Sequence, residues 1–197
     1  VLVCDEALQH RQIRRDINIV LLDAQRPFGN GHLLPRGGLR EPVSALRRAD
    51  CIIMTRDEHT QPLHPEIARI AGAGIPVFRA VHRLQEIVTP SDNRHLAPDA
   101  LAGKKVCAFC GIARPESFRS ILEETEADIL SFIDFPDHHP YTRSDLDALK
   151  DTFEPLAADF WLTTEKDAVR LAAYPDFFRL IAVVRVEMRI MPAQPSF

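Results

Sequence analysis

Long apolar runs are missing from this chain: none approaches the roughly 18 residues that a helix needs to cross a bilayer. A spanning helix is therefore not expected within it. No secretory leader opens it either, because Val1-Leu2-Val3-Cys4 leads straight into Asp5-Glu6. Net charge is only −4, too mild to suggest a nucleic-acid partner. Cysteine is sparse, and its one suggestive spacing is Cys107-Ala-Phe-Cys110, with Cys4 and Cys51 standing alone. A structural zinc site wants a second ligand pair at similar spacing. Two readings remain open, a metal or redox pair and buried strand thiols; the apolar run Val106–Cys110 favours the second. A reducing cytoplasm fits that reading. No internal repeat is visible.

What the chain does have is an ordinary globular balance, 46% hydrophobic and 26% charged over 197 residues. Its 15 prolines punctuate the sequence without clustering, which argues against a disordered tail. Charge is unevenly spread. Residues 1–48 hold eight Arg against five acids, whereas residues 116–167 hold fourteen acids against four bases. Of 24 basic residues 20 are Arg, the side chain best shaped for bidentate contact with phosphate. Codon bias would also produce that ratio, but the basic first part is the expected place for an anionic ligand.

Short apolar runs alternate with amphipathic stretches, the pattern of an α/β protein with a mainly parallel sheet. Strands are expected over 1–4, 17–22, 51–54, 77–81, 106–110, 129–132, 160–163 and 180–186. Helices are expected over 42–48, 65–71, 115–124, 143–153 and 165–173, each opening near a Pro, Ser, Thr or acid. A composition break at 89–103 reads as a linker. The expected organisation is a core domain over 1–88, that linker, an α/β domain over 104–178, and a return strand with tail over 179–197. The alternating runs 77–88 and 179–190 are expected to pair as an antiparallel ribbon. A core-like strand as first element, with no initiator Met, leads us to expect a chain cut at its start.

Several segments could carry chemistry. In Ile17–Asp23 an apolar strand ends in one carboxylate, which a parallel sheet would deliver to its carboxyl edge, where α/β proteins bind ligands. That is the shape of a Walker B strand, whose Asp holds Mg²⁺; an Asp capping the next turn is the plainer alternative. Val1–Glu6 repeats the arrangement with two acids. The run 26–42, rich in Gly, Asn, Pro and Arg, is too long for a simple connection. In Phe135–Thr142 an Asp stands beside a His, a pairing suited to general-base work. Adjacent His138 and His139 would point apart, so one functional imidazole is expected there and no metal pair. In Thr163–Arg170 a strand passes into a helix whose first amides and Lys166 suit an anion, or simply form a capped, solvated helix start.

Taken in order, these segments resemble the family of 4'-kinases that phosphorylate the lipid A disaccharide precursor. The resemblance rests on Asp5-Glu6-Ala7-Leu8-Gln9-His10, the strand ending at Asp23, Arg26–Gly31, Leu34–Pro42, Gly111–Phe118, Asp137-His138 and Thr164–Val169. It implies a P-loop-kinase-like α/β fold, incomplete here for want of the P-loop strand, with a second, smaller α/β unit. It also implies ATP and Mg²⁺ as cofactors, the 4'-hydroxyl of a tetraacylated glucosamine disaccharide 1-phosphate as acceptor, and peripheral work at the cytoplasmic face of the bacterial inner membrane. By position, Asp23 is the Mg²⁺ ligand; Asp5, Glu6 and His138 form the catalytic set; Lys166 and Asp167 meet the nucleotide; Gln9, His10, Asn30, Arg40 and Glu41 meet the substrate.

Three departures accompany the resemblance. No Gly-x-x-x-x-Gly-Lys-[Ser/Thr] occurs anywhere, so in the family's arrangement that loop and a membrane-contacting segment would lie upstream of Val1, and the fragment by itself is expected to be inactive. The family's Asp-Asp-Gly-Phe is Asp5-Glu6-Ala7-Leu8 here, losing a glycine's backbone freedom. Its Pro-Ala-Gly-Pro is Pro35-Arg36-Gly37-Gly38. These departures also motivate a different reading, a non-catalytic remnant or binding module that keeps the fold. A GTPase would need Asn-Lys-x-Asp, which Thr164-Glu-Lys-Asp167 only half matches.

Overall fold

Asp23 ends strand β1 (Ile19–Asp23), and everything about the first part of the fold follows from how that strand is paired. β1 lies parallel to β2 (Cys51–Thr55), with Asp23 opposite Thr55. β2 lies parallel to the start of β3 (Val77–Thr89), with Thr55 opposite Ala80. The computed structural model describes residues 1–56 and 62–191; the tail expected at the chain's end lies, over 192–197, outside them. The chain divides into two compact units, Val1–Val81 with Met188–Phe197 and His82–Glu187.

In the first unit, helix α1 (Pro65–Gly72) starts with Pro at its first turn and His64 accepting from the Glu66 N–H. It buries Ile67 and Ile70 against Ile52 and Met54 of β2, with Val20, Leu22 and Phe28 packed alongside. Residues 43–48 form a 3-10 helix and not the α-helix expected there. Only Leu46 is buried in it, too narrow a stripe to hold a full α-helical face against a core. The expected strand at 1–4 is also absent: Val1, Leu2 and Val3 are exposed and pair with nothing among the described residues. An apolar run becomes a strand only where a neighbour supplies ladder hydrogen bonds.

The second unit has parallel strands in the order β8-β7-β5-β6: β5 (Lys105–Cys110), β6 (Asp128–Asp134), β7 (Phe160–Thr164) and β8 (Ile181–Met191). β5 is buried from Val106 to Cys110, and its alternate residues serve two cores. Cys107 and Phe109 face Tyr141, Leu146, Leu149, Phe153 and Phe177; Val106, Ala108 and Cys110 face Phe118 and Leu122. That period of two explains the continuous apolar run, since the sheet is covered on both sides. Each fully buried Leu, Ile or Phe contributes about 1.5–3 kcal/mol. It also decides the cysteines: Cys107 and Cys110 project to opposite faces and are free thiols. Burial pushes both thiols up, Cys110 to about 12, which makes them inert packing groups.

Helix α2 (Pro115–Glu123) covers one face and α3 (Arg143–Phe153), α4 (Glu165–Leu171) and α5 (Pro175–Phe178) serve the other. Strands β3 and β8 run longer than their apolar stretches suggest, because each has further partners. β3 bends back on β4 (Arg94–Leu96) and neighbours β8, and Arg185 of β8 reaches Glu86 of β3 at 2.7 Å. The 89–103 stretch holds β4 and a short 3-10 helix with Leu101 fully buried, all inside the second unit.

α3 shows how local sequence sets a boundary beside the site. The Thr142 hydroxyl accepts from the Asp145 N–H, and Thr142 N–H and hydroxyl both donate to Asp145 Oδ2 at 2.7 Å, a capping box. Those Thr142 bonds, then His139, hold the Asp145 carboxyl below its usual range. A lowered folded pKa gives stability that is complete above the unfolded value of about 3.9 and is lost as pH falls through the folded one. Thr142→Ala should therefore cost about 1 kcal/mol at pH 7, measured by urea denaturation, and the difference from the parent should shrink on acidification through that window.

Candidate active site

The carboxyl edge of the first unit's sheet carries Asp23 on β1 and, one residue past β2, Arg56. Asp23 Oδ1 accepts from the Gln25 N–H at 3.1 Å, and Oδ2 pairs with the Arg56 guanidinium. Thr55 Oγ1 donates to Leu22 O and Ala24 N–H to Thr55 O, locking the two strand ends together. The expected Mg²⁺ carboxylate thus sits where a parallel sheet presents ligands, with a cation beside it. Arg56 was not anticipated, although its place just past a second parallel strand marks the same edge.

The loop over 26–42 is wired from within. Asn30 Oδ1 accepts from His32 N–H and its Nδ2 donates to Arg36 O at 3.0 Å. Gly29 and Gly31 take φ of 55° and 74°, and a Cβ on Gly37 would fall 2.1 Å from Asn30 Oδ1 and 2.2 Å from His32 O. Asn30, expected at the substrate, therefore acts as the loop's latch, both ends of its amide engaged by backbone. Gly37→Ala should displace the loop and cost about 1–3 kcal/mol, seen as faster proteolytic cutting between residues 26 and 42.

The acid pair lies in the same unit. Asp5 Oδ1 accepts from Glu6 N–H at 2.9 Å, and Glu6 meets Arg40 at 2.8 Å. Both members of that pair are more than half exposed, so it orients more than it stabilises. The positive φ of this turn falls on Glu6, at 50°, and not on Ala7; the residue in the family's glycine position needs no left-handed backbone here. Glu41, also expected at the substrate, pairs with Arg48, which donates in turn to Leu8 O at 3.3 Å. Glu41 thereby pins the 5–10 segment. Gln9, Arg40 and Glu41 border a 320 Å³ cavity floored by Leu8, Phe28 and Leu46, while His10 is exposed.

In the second unit three loops leave the carboxyl edge: after β5 at Gly111, after β6 at Phe135, and after β7 into α4. The segment after β6 docks by backbone, Phe135 N–H to Cys110 O at 2.8 Å and His138 N–H to Gly111 O at 3.1 Å. His138 takes φ 59°, left-handed and uncommon for a side-chain-bearing residue. Its ring is 79% exposed, with Nε2 3.8 Å from Asp137 Oδ2. His139 is the opposite case, stacked on Phe135, edge-on to Tyr141 and 3.1 Å from Asp145 Oδ2. One imidazole is presented and the other is packed.

Asp167 departs from the sequence expectation. It is fully buried, and its carboxylate accepts from Gly111 N–H at 3.1 Å on both oxygens, Tyr141 OH at 3.0 Å, Thr164 OH at 2.6 Å and Arg170 at 3.0 Å. Nothing is left over for a nucleotide; it is a structural node tying the three loops. Burial, then the adjacent Asp167 charge, pushes the Tyr141 phenol far above its ordinary range, so it remains a donor. Thr164 also accepts from the Asp167 N–H, which uses part of the helix start that was expected to take an anion. Lys166 is exposed in the first turn of α4. Gly111 opens the Gly111–Phe118 motif for a steric reason: a Cβ there would meet His139 Cβ at 3.1 Å and both Asp167 Oδ1 and Tyr141 OH at 3.2 Å.

The fold is that of a mainly parallel α/β protein, with a carboxylate at a strand tip in the first unit and an imidazole presented on a loop in the second, and its P-loop-kinase-like class rests on the solved structure it matches. Similarity sharpens the class. The model of the family described as tetraacyldisaccharide-1-P 4'-kinase matches residues 1–197, and the chain belongs to that family. Among its relatives, the tetraacyldisaccharide 4'-kinase of Syntrophus aciditrophicus (strain SB) is 42% identical over 207 residues, covering 100% of this chain and 55% of the relative. That of Anaeromyxobacter sp. (strain Fw109-5) is 38% identical over 96% of this chain and 52% of its own length. A crystal structure of apo-form LpxK from Aquifex aeolicus in complex with ATP superposes with a TM-score of 0.65 at 28% identity, over 94% of this chain and 52% of that one. The chain spans about half the length of the curated relatives it matches.

Proposed function

We propose that the full-length protein transfers the γ-phosphate of ATP to the 4'-hydroxyl of a tetraacylated glucosamine disaccharide 1-phosphate, a step of lipid A biosynthesis. One observation carries this reading: within a chain of this family, the His of the Asp137-His138 pair offers its ring to solvent from a tethered backbone, while the histidine beside it is packed. In phosphoryl transfer the protein mainly positions the reactants and neutralises charge. His138 is the general base that takes the acceptor hydroxyl's proton, with Asp137 Oδ2 3.8 Å from its Nε2. Asp5 and Glu6, in the first unit, are the carboxylates that the family resemblance implies for the catalytic chemistry. Gln9, His10 and Arg40 bind the substrate head group, with Arg40 oriented by Glu6. Lys166 supplies positive charge to the nucleotide.

Asp23 would hold Mg²⁺. No cluster of three or more metal-ligating side chains occurs among the described residues, but Mg²⁺ in such sites is held by one or two carboxylates with phosphate and water completing the shell, and Asp23 supplies one. Mg²⁺ when bound neutralises phosphate charge; Arg56 balances the Asp23 carboxylate otherwise. No described helix is long and apolar enough to cross a membrane, and we propose peripheral work at the cytoplasmic face of the inner membrane, where an acylated acceptor resides. Residues 1–197 contain no Walker A loop, and by themselves they should not turn over ATP.

The test is transfer of labelled γ-phosphate from ATP–Mg²⁺ to the disaccharide 1-phosphate by the full-length protein. Transfer supports the kinase. Calorimetry on the same protein separates the second reading: no heat of nucleotide binding would favour a non-catalytic module, the reading that the altered acid pair motivates.

A further inference from the structure

We infer that Asp167, through Gly111, Tyr141 and Arg170, is the positioning unit that holds His138 at the carboxyl edge of its sheet. The inference rests on the proposed role of His138 and adds residues to it. Asp167 fixes the Gly111 N–H at 3.1 Å, and the carbonyl of that same residue receives the His138 N–H, also at 3.1 Å. Arg170 bridges the two ends, donating to Asp167 Oδ1, Gly111 O and His139 O at 3.0–3.4 Å. Tyr141 closes the far side of the His138 loop: its hydroxyl is bound by Asp167 and its carbonyl accepts from Tyr174 OH at 2.8 Å.

Geometry explains why such a unit is needed. The left-handed backbone at His138 costs about 1–2 kcal/mol for a side-chain-bearing residue, and such strain persists only where surroundings over-determine it. The ring is largely exposed and belongs to neither core of its unit. What remains is the backbone on either side: Phe135 N–H is held by Cys110 O, while the attachments through Gly111 and Arg170 both lead to the same buried carboxylate. A Cβ on Gly111 would stand 3.1–3.2 Å from His139, Asp167 and Tyr141, so these neighbours would have to give by a few tenths of an ångström. Asp167 touches no reacting atom in this scheme; it acts through His138.

Asp167→Asn removes the charge of a fully buried group and endangers the fold, so Tyr141→Phe carries the test, deleting one donor and keeping the ring. Two readouts on the full-length protein separate the possibilities. Amide hydrogen exchange at His138 should accelerate about tenfold or more in Tyr141→Phe, and kcat should fall about tenfold with the KM for ATP unchanged. In a His138→Ala background the same Tyr141 change should leave kcat unaffected, because its influence passes through the missing ring. An equal kcat loss in both backgrounds, or unchanged exchange at His138, overturns the inference. Undiminished turnover in His138→Ala alone would instead sink the assignment of the base, and the exchange result would still report on the tether.

Discussion

His138→Ala in the full-length protein is expected to lower kcat by about 10²–10⁴-fold, the usual contribution of a positioned general base. The fold and the KM for ATP should be unchanged. Both halves of that expectation come from the surroundings of the residue. The ring is exposed and outside both cores of its unit, so its loss removes no buried surface. The backbone tether to Gly111 uses the N–H, which alanine retains. His138→Gly should share the kinetic defect while easing the left-handed backbone, and that comparison separates the ring's contribution from the loop's conformation. His139→Ala should behave in the reverse way, reducing stability through lost stacking on Phe135 and lost contact with Asp145, with a smaller effect on turnover.

Asp167→Ala is the largest stability change the structure predicts. A buried carboxylate receives Tyr141, Thr164, Gly111 and the Arg170 guanidinium. Its removal leaves a partly buried cation and three buried donors without their acceptor. Breaking a buried ion pair by deleting one partner costs about 3–5 kcal/mol, a large share of the 5–15 kcal/mol that holds a typical domain together. Native-state hydrogen exchange should find the loss in the amides of β5 and β7, with β1 and β2 of the other unit keeping their protection.

Much of this architecture was legible because the signals were local. The helix expected over 143–153, opening after Thr142, is α3 at the bounds observed, and its capping box and its buried Leu146, Leu149 and Phe153 account for the match. The apolar run through Val106–Cys110 predicts a strand covered on both sides. Legibility ended where partners decide. Val1–Cys4 has strand composition but no ladder neighbour among the described residues. Val43–Arg48 has a helical start but buries one side chain. β3 and β8 outrun their apolar stretches because each is the other's neighbour in the sheet.

The site divides in the same way. Asp23 was readable as a strand-tip carboxylate, and His138 as one of two histidines serving different ends. Asp167 misled, because a capped helix start and an anion site share the same short pattern of Thr, Lys and Asp; only burial tells them apart. Asn30 and Glu41 carry structural contacts that sequence did not show, for a related reason. Polar residues in a ligand-like loop are often engaged by the loop itself, and their partners, Arg36 O and Arg48, lie six and seven residues away with no periodicity to reveal them. Gly111 was visible as part of a motif, but its reason, a carboxylate 56 residues later in the chain, was not.

The regiochemistry of the product tests the central claim most directly. Phosphorus–proton correlation spectra of the disaccharide recovered after incubation of the full-length protein with ATP and Mg²⁺ should show a new phosphate on the 4' oxygen, with the 1-phosphate intact and the signal missing from the His138→Ala reaction. A phosphate on any other oxygen, or none while bound nucleotide is consumed, would contradict the account.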